Sequence, residues 1–265
     1  MLKDITIGQY FPGKSVVHRL DPRVKIILVF LFIVTLFVAN NVTSLLVNVV
    51  FVLILYIISR IPLKMILKGL KPIVPIIVFT AILNIFFVDG KVLWKIWFIE
   101  ITDKGLEMSV IMIVRVLCLI AGTSLLTYTT SPIALTDALE RLMKPLNKIK
   151  VPVHELAMMM TIALRFIPTL IEETDKIMSA QKARGADMET GSIIQRAKAL
   201  VPILIPLFVS SFRRADELAM AMECRCYHGG EGRTRMRQLH VRFADIAALI
   251  VVVAFLLLTM FVARF

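Results

Sequence analysis

Cysteine is scarce in this sequence. The three cysteines, Cys118, Cys224 and Cys226, do not show the spacing of a disulfide framework, and we expect reduced thiols. Cys224, Cys226 and His228 lie close together, but a zinc site usually needs a fourth ligand, so we expect no metal and no cofactor. There is no phosphate-binding Gly-x-x-x-x-Gly-Lys-Ser/Thr loop. We therefore expect that this chain does not hydrolyse ATP itself.

Apolar residues, in contrast, are abundant. They make up 58% of the 265 residues, and the mean hydropathy is +0.83. A soluble domain is nearer about half apolar, and here the excess is concentrated in long blocks, which is typical of an integral membrane protein. The blocks are Val24–Ala39, Ser44–Ile58, Ile73–Val88, Met108–Tyr128 and Ile246–Val262. We predict five transmembrane helices; the second block is short for a span, so its flanking residues must contribute.

The charge of the loops predicts how the chain is oriented in the bilayer. The N-terminal segment and loop 59–71 are basic, loop 39–43 is uncharged, and loop 89–107 is mixed. Short cytoplasmic loops carry an excess of Lys and Arg, so this alternation places the N-terminus inside. Five spans then carry the C-terminus outside. In a multi-pass membrane protein the net charge of +12 indicates basic cytoplasmic loops, and we expect no binding to nucleic acid.

The fold class predicted from these patterns is an all-α integral membrane protein. Residues 1–128 form an N-terminal membrane domain with four transmembrane helices, and residues 246–265 form a C-terminal transmembrane helix. Between them, residues 129–245 are predicted to form a cytoplasmic region of long amphipathic helices, because this stretch is rich in good helix formers. Three helical pieces are predicted there: from Ser131 to Pro145, from Pro152 through a bend at Pro168, and from Ser192 to Tyr227.

Two apolar runs inside this region leave the number of spans open. Residues 199–212 form an apolar run of 14 residues with two prolines, and residues 156–164 are similar. Each is too short to span comfortably and suits a re-entrant or interfacial helix. If both runs crossed the bilayer, the chain would have seven spans, with the same orientation of its ends.

The same ending occurs twice in the predicted cytoplasmic helices. The stretches are "SAQKARGAD" at 179–187 and "MAMECRCYH" at 220–228, and an aspartate lies nine residues before each arginine. The central residues are Ala183, Arg184 and Gly185 in the first stretch and Cys224, Arg225 and Cys226 in the second. One such arginine could simply cap a helix C-terminus. The repetition favours a second interpretation, in which two exposed guanidinium groups dock into acidic grooves of partner proteins.

The chain resembles the transmembrane T component (EcfT) of energy-coupling factor transporters, a branch of the ATP-binding-cassette superfamily that imports vitamins and metal ions. Its twin Ala-Arg-Gly-like signatures match Ala183–Gly185 and Cys224–Cys226, although cysteine flanks Arg225 on both sides. The stretch "HRLDPRVK" at 18–25 resembles the start of the family's first span. The stretch "ALRFIPTL" at 163–170 resembles the segment that opens its coupling domain.

The resemblance implies a non-catalytic scaffold in a bacterial or archaeal cell membrane. Its partners would be two ATP-binding-cassette ATPase subunits, with Arg184 docking into one and Arg225 into the other. One or several substrate-binding S components would carry the vitamin or metal ion. Methionines are frequent in the coupling region, as they are at surfaces that repack against different partners, which favours several S components; core filling would explain them equally well.

Two alternative functions for a membrane protein of this kind need side chains that the spans largely lack. A membrane-embedded enzyme needs a nucleophile, a metal or an acid–base pair near the bilayer, and the spans offer only Asn48, Asn84, Arg115 and Cys118. A self-sufficient carrier needs polar residues near the midplane of several spans, and these spans are mostly Leu, Ile, Val and Phe. Arg115 lies inside the fourth span, and three roles are open to it: a functional role, snorkelling of its side chain outward, or a structural bond to a loop carbonyl.

Overall fold

The computed structural model describes residues 10–39, 41–96, 99–186, 192–230 and 239–264. Within these ranges the chain is almost entirely helical. The helices in chain order are α1 (Val16–Arg19), α2 (Pro22–Val38), α3 (Val42–Ser59), α4 (Leu63–Leu70), α5 (Val74–Phe87), α6 (Asp103–Thr129), α7 (Pro132–Met143), α8 (Val153–Ala183), α9 (Ile193–Glu223) and α10 (Phe243–Arg264).

Polar caps explain where several of these helices begin. Asp21 caps α2 by accepting the N–H of Arg23, and Pro22 occupies the first turn, where a missing N–H costs nothing. Thr102 caps α6 by accepting the N–H of Gly105. Ser192 opens α9 with a reciprocal capping box to Gln195, so the predicted start at this serine is confirmed.

The chain divides into two compact units. One comprises the described residues of 8–138 together with those of 238–265, and the other comprises the described residues of Leu139–Arg237. The first unit therefore contains the N-terminal helices and α10, which are far apart in sequence. The second contains α8 and α9, the two long helices that carry the repeated ending.

Helix α6 is the centre of the first unit. It packs against α2, α3 and α5, while α10 packs against α2 and α3. Two tyrosine hydroxyls form hydrogen bonds between neighbouring helices. Tyr56 of α3 donates to the carbonyl of Ala121 in α6 at 2.7 Å, and Tyr128 of α6 donates to the carbonyl of Met65 in α4 at 3.1 Å. In a bilayer such bonds satisfy groups that water cannot reach, and they define how the helices pack.

The helices confirm the prediction of an all-α membrane protein. By length and apolar composition, five stretches within the described residues could cross a membrane: Val42–Ser59, Leu63–Phe87, Asp103–Thr129, Val153–Ala183 and Phe243–Arg264. Four of them overlap predicted spans, and the remaining one is α8, which contains the apolar run at 156–164. The first predicted span is not among the five. That first span, α2, is apolar but has 17 residues, the lower limit for crossing a bilayer. The short second block is extended at both ends, so that α3 reaches 18 residues.

A β-hairpin stands where we expected only a loop. Strands β1 (Val92–Ile96) and β2 (Ile99–Thr102) pair antiparallel between α5 and α6. The sequence signal was present, because β1 reads Val-Leu-Trp-Lys-Ile and is rich in branched and aromatic residues. The mixed charge of residues 89–107 led us to expect a loop and not strands there.

Candidate functional site

The first repeated ending is a helix C-cap built on Gly185. Arg184 is the C-cap residue that follows the last residue of α8, Ala183, and Gly185 comes next with a left-handed φ of 84°. The N–H of Gly185 donates to the carbonyl of Lys182 at 3.0 Å, and the N–H of Ala186 donates to that of Gln181 at 3.0 Å. This pair of bonds is a Schellman motif, which satisfies the last helical carbonyls.

The second ending repeats this motif bond for bond. The N–H of Cys226 donates to the carbonyl of Glu223 at 2.8 Å, and the N–H of Tyr227 donates to that of Met222 at 3.1 Å. Cys226 has a φ of 54° and so adopts the left-handed conformation that Gly185 has in the first ending. The absence of glycine after Arg225 therefore does not change the backbone. Arg184 and Arg225 occupy the same position in two equivalent caps.

All six residues that we selected from the sequence lie on the surface. Ala183, Arg184 and Gly185 are exposed, and so are Cys224, Arg225 and Cys226. Both cysteines have free thiols. In the part of the chain that the structure describes, neither the Arg184 nor the Arg225 guanidinium has a hydrogen-bonding or ionic partner. Each guanidinium thus keeps its five N–H donors available for a carboxylate of another molecule.

The two arginines lie at opposite ends of a helix pair. Near the end of α8, the side-chain amide of Gln181 donates to the carbonyl of Pro202 in the first half of α9, at 3.3 Å. At the other end, the chain that follows α9 reaches the start of α8, where a Cβ built on Gly230 would come within 2.4 Å of the His154 ring. At 1.5 Å per residue, the α9 segment beyond Pro202 separates the two arginine ends by about 30 Å or more.

Sequence reasoning missed the contact that holds α8 to α9 between these ends. The carboxylate of Glu173 accepts hydrogen bonds from the Ser210 hydroxyl and from the Arg214 guanidinium. The Glu173 side chain is 20% exposed and that of Arg214 is 34% exposed. A partly desolvated, charge-assisted bond of this kind is stronger than one in open water. It gives the pair of helices a fixed point of contact between the two arginine ends.

A second polar cluster lies in the first unit, around the stretch "HRLDPRVK". The N–H of Asp21 donates to Asp245 Oδ1 at 2.7 Å, and the N–H of Arg242 donates to Asp245 Oδ2 at 2.6 Å. Arg23 donates twice to the carboxylate of Asp21, through Nε at 3.1 Å and Nη2 at 2.8 Å. The buried Asp245 thus ties the start of α10 to the start of α2. Nothing in the sequence alone indicated that Asp245 has this role.

Lys25 anchors the same cluster to the end of α6. Its side chain is buried, and its ammonium donates to the Thr129 carbonyl at 2.9 Å, to the Thr130 hydroxyl at 3.2 Å and to the His18 carbonyl at 3.3 Å. The Thr129 hydroxyl is a fourth and longer contact of the same ammonium, at 3.4 Å, so all three of its N–H donors have acceptors. The cluster is therefore a structural junction of α1, α2 and α6.

Two further candidates from the sequence have structural explanations. Arg115, inside α6, donates from Nη2 to the carbonyl of Ala39 at 2.8 Å, where α2 ends. This is the bond to a loop carbonyl that was one of its three predicted roles. Among the described residues, no group of three or more His, Cys, Asp or Glu is arranged to hold a metal ion, and Cys224, Cys226 and His228 do not form one.

Known proteins are similar in sequence to this chain over nearly its whole length. Residues 13–236 match the family model described as CbiQ, cobalt transport protein. The chain is 58% identical to the energy-coupling factor transporter transmembrane protein EcfT of Thermosediminibacter oceani, over 94% of each chain. It is 50% identical to the protein of the same name from Bacillus subtilis, over 97% of this chain and 98% of the relative. The chain therefore belongs to the EcfT family of transmembrane components of energy-coupling factor transporters.

Proposed function

We propose that this chain is the membrane scaffold that couples ATP hydrolysis by two partner ATPase subunits to the uptake of a vitamin or a metal ion. The cargo enters through one or several substrate-binding S components. The N-terminus is cytoplasmic, and the C-terminus is outside. The region 129–245 lies on the cytoplasmic side, with α8 as an interfacial or re-entrant helix although its length and composition would also allow a span. The main observation behind this proposal is that Arg184 and Arg225 are exposed at the same position of two equivalent caps.

The cap explains how each arginine would dock. Arg184 and Arg225 follow the last residues of α8 and α9 and are exposed. Their neighbours are too small to block a narrow groove: Ala183 and Gly185, or Cys224 and Cys226. A guanidinium presents two parallel N–H donors to one carboxylate, a geometry that a lysine cannot reproduce. Each tip would therefore bind an acidic groove on an ATPase subunit.

The separation of the arginines favours two ATPase subunits instead of one. The tips lie at opposite ends of the α8–α9 pair, about 30 Å or more apart along the helices. Two related ATPases could each take one tip. When ATP closes them, they would move the two ends of the helix pair relative to each other, with Glu173 and Arg214 holding the helices together in between.

Methionines on α8 and α9 support a scaffold that serves several S components. Met159, Met160 and Met220 are each about half exposed or more, at 55%, 47% and 66%. A methionine that only fills a core would be covered. Flexible, polarizable side chains on the surface can adapt to partners of different shape.

Charge reversal with co-purification tests the docking. The full chain is expressed with its candidate ATPase pair as wild type, Arg184→Glu, Arg225→Glu and the double variant. Loss of one hydrogen-bonded charge pair at an interface costs about 2–5 kcal/mol. We therefore expect each single variant to recover at least about thirtyfold less of one ATPase, and the double variant to recover neither.

Two matched controls come from the same helices. Lys176→Glu in α8 and Arg213→Glu in α9 reverse exposed charges away from the tips and should leave recovery unchanged. Arg184→Lys and Arg225→Lys keep the charge but lose the bidentate fork, and they should recover an intermediate amount. If the double variant recovers both ATPases at the wild-type level and supports uptake, the arginines are only helix caps, and a self-sufficient carrier or a membrane-embedded enzyme becomes the better description.

A further inference from the structure

A groove in the first unit has no role in the proposed coupling. It lies between α3, α4 and α6 and has a volume of about 550 Å³, within the range of pockets that enclose ligands. Its walls are apolar, and they include Leu53, Ile57, Ile61, Leu70, Val114 and Leu117. Two cross-helix bonds build it: Tyr56 joins α3 to α6 behind the groove, and Tyr128 holds α4 against α6.

One charged side chain lines this groove. Arg60 follows the last residue of α3 and has a left-handed φ of 54°, which is uncommon for a residue other than glycine. Its guanidinium is exposed, and within the described chain it has no side-chain partner. The arginine therefore combines an unusual backbone conformation with a free cation at the edge of an apolar groove.

The charges around Arg60 have one sign. Residues 59–71 also contain Lys64, Lys68 and Lys71 and no acidic residue, and all three lysines are exposed. Basic residues next to an opening between transmembrane helices attract anionic lipid head groups. The same short segment therefore offers an apolar slot and a basic edge.

We propose that this groove binds an anionic glycerophospholipid, with one acyl chain between α3, α4 and α6 and the phosphate at Arg60. The apolar walls match the chain, and the basic edge matches the phosphodiester. The bilayer supplies this ligand directly to the open side of the groove, where Leu53, Ile57 and Leu63 are 55%, 75% and 73% exposed. The site would hold α4 in place by bridging it to α3 through one lipid.

Lipid retention by the purified full chain tests the proposal. The chain is incubated in detergent with phosphatidylglycerol or with phosphatidylcholine of the same acyl composition, and bound lipid is counted by native mass spectrometry. We expect preferential retention of one phosphatidylglycerol. Arg60→Gln should weaken it about fivefold, the loss expected for one basic residue facing an anionic lipid. Arg19→Gln, an exposed arginine of the same unit outside the groove, is the control and should change nothing.

A second pair of variants tests the acyl slot separately from the charge. Leu53→Trp places a ring in the groove and should reduce the retention of both lipids. Leu46→Trp is seven residues earlier on α3, is equally exposed at 58%, and does not line the groove, so it should retain lipid as wild type does. The proposal is overturned if the two lipids are retained equally, if Arg60→Gln behaves like Arg19→Gln, or if the two tryptophan variants behave alike. None of these results depends on ATPase docking.

Discussion

Cys226 has the same backbone position after Arg225 that Gly185 has after Arg184. Both residues have positive φ, 54° and 84°, and both donate the same cap hydrogen bond to the carbonyl three residues earlier. Two helix ends of different sequence therefore present their arginines in the same way. The cap is preserved in the second ending although its glycine is not, and the backbone there carries a strain that the first ending lacks.

The strain at Cys226 predicts that Cys226→Gly tightens the end of α9. A left-handed residue other than glycine costs about 1–2 kcal/mol, of which the greater freedom of glycine in the unfolded chain offsets a part. We expect about fivefold slower hydrogen exchange in the last turn of α9, measured by mass spectrometry on peptides that cover 220–228. Recovery of both ATPases should not change.

Cys224→Gly is the matched control, because Cys224 has helical backbone angles of −59° and −23°. Glycine inside a helix is destabilising by about 0.5–1 kcal/mol, so this variant should exchange faster than wild type. If the two glycine variants change exchange in the same direction, the left-handed geometry at Cys226 is not a source of strain.

The bond between Glu173 and Arg214 predicts an energetic coupling between α8 and α9. In a double-mutant cycle of Glu173→Ala and Arg214→Ala, we expect a coupling of about 1–3 kcal/mol, since both side chains are partly buried and the hydrogen bond is charge-assisted. Thermal unfolding of the purified chain measures each corner of the cycle. Uptake should fall in Glu173→Ala while both ATPases still co-purify, because the arginine tips remain intact.

Glu172→Ala removes a neighbouring carboxylate that is exposed and should leave both unfolding and uptake unchanged. A cycle that sums to zero would mean that Glu173 and Arg214 act independently. In that case the helix pair would be held by apolar packing alone, and the proposed fixed point between the two tips would be wrong.

The sequence predicted those features that depend on neighbours along the chain. The start of α9 at Ser192, the apolar helices and the two arginine endings all follow from short patterns. The contact of Glu173 with Arg214 joins residues 41 positions apart, and that of Asp21 with Asp245 joins residues 224 positions apart. Such pairings depend on how helices pack, which no local pattern contains. The left-handed conformation of Cys226 could not be predicted for another reason: this position of a cap is usually glycine, and a cysteine does not indicate a positive φ.

His18 predicts that stability depends on pH. Burial lowers the pKa of His18, and the nearby charge of Lys25 lowers it further. The hydrogen bond from the His18 ring to the Phe11 carbonyl raises the pKa, but by less. A histidine whose pKa is lowered by folding binds protons more readily when unfolded. Its stabilising effect is therefore complete above the unfolded pKa of about 6.5 and is lost as the pH falls below that value.

We expect the thermal midpoint of the purified chain to decrease when the pH is lowered from 7.5 to 5.5. His18→Gln should make this decrease smaller. His240→Gln is the control, because the His240 side chain is exposed. If His18→Gln and His240→Gln show the same pH profile as wild type, His18 does not contribute to the dependence.

Asp245 predicts the largest loss of stability from a single change in the first unit. The side chain is 1% exposed, and its carboxylate accepts the N–H groups of Asp21 and Arg242. Asp245→Ala leaves two N–H donors without this acceptor, and each hydrogen bond to a charged group contributes about 1.5–3 kcal/mol. We expect a loss of about 3 kcal/mol or more, seen as a lower thermal midpoint or as poor recovery of folded chain from the membrane. Asp245→Asn keeps one acceptor oxygen and should lose less, while Asp103→Ala at an exposed helix start should lose least. If Asp245→Ala is as stable as Asp103→Ala, the junction of α2 and α10 does not depend on this carboxylate, and the packing of the two helices is sufficient to hold them together.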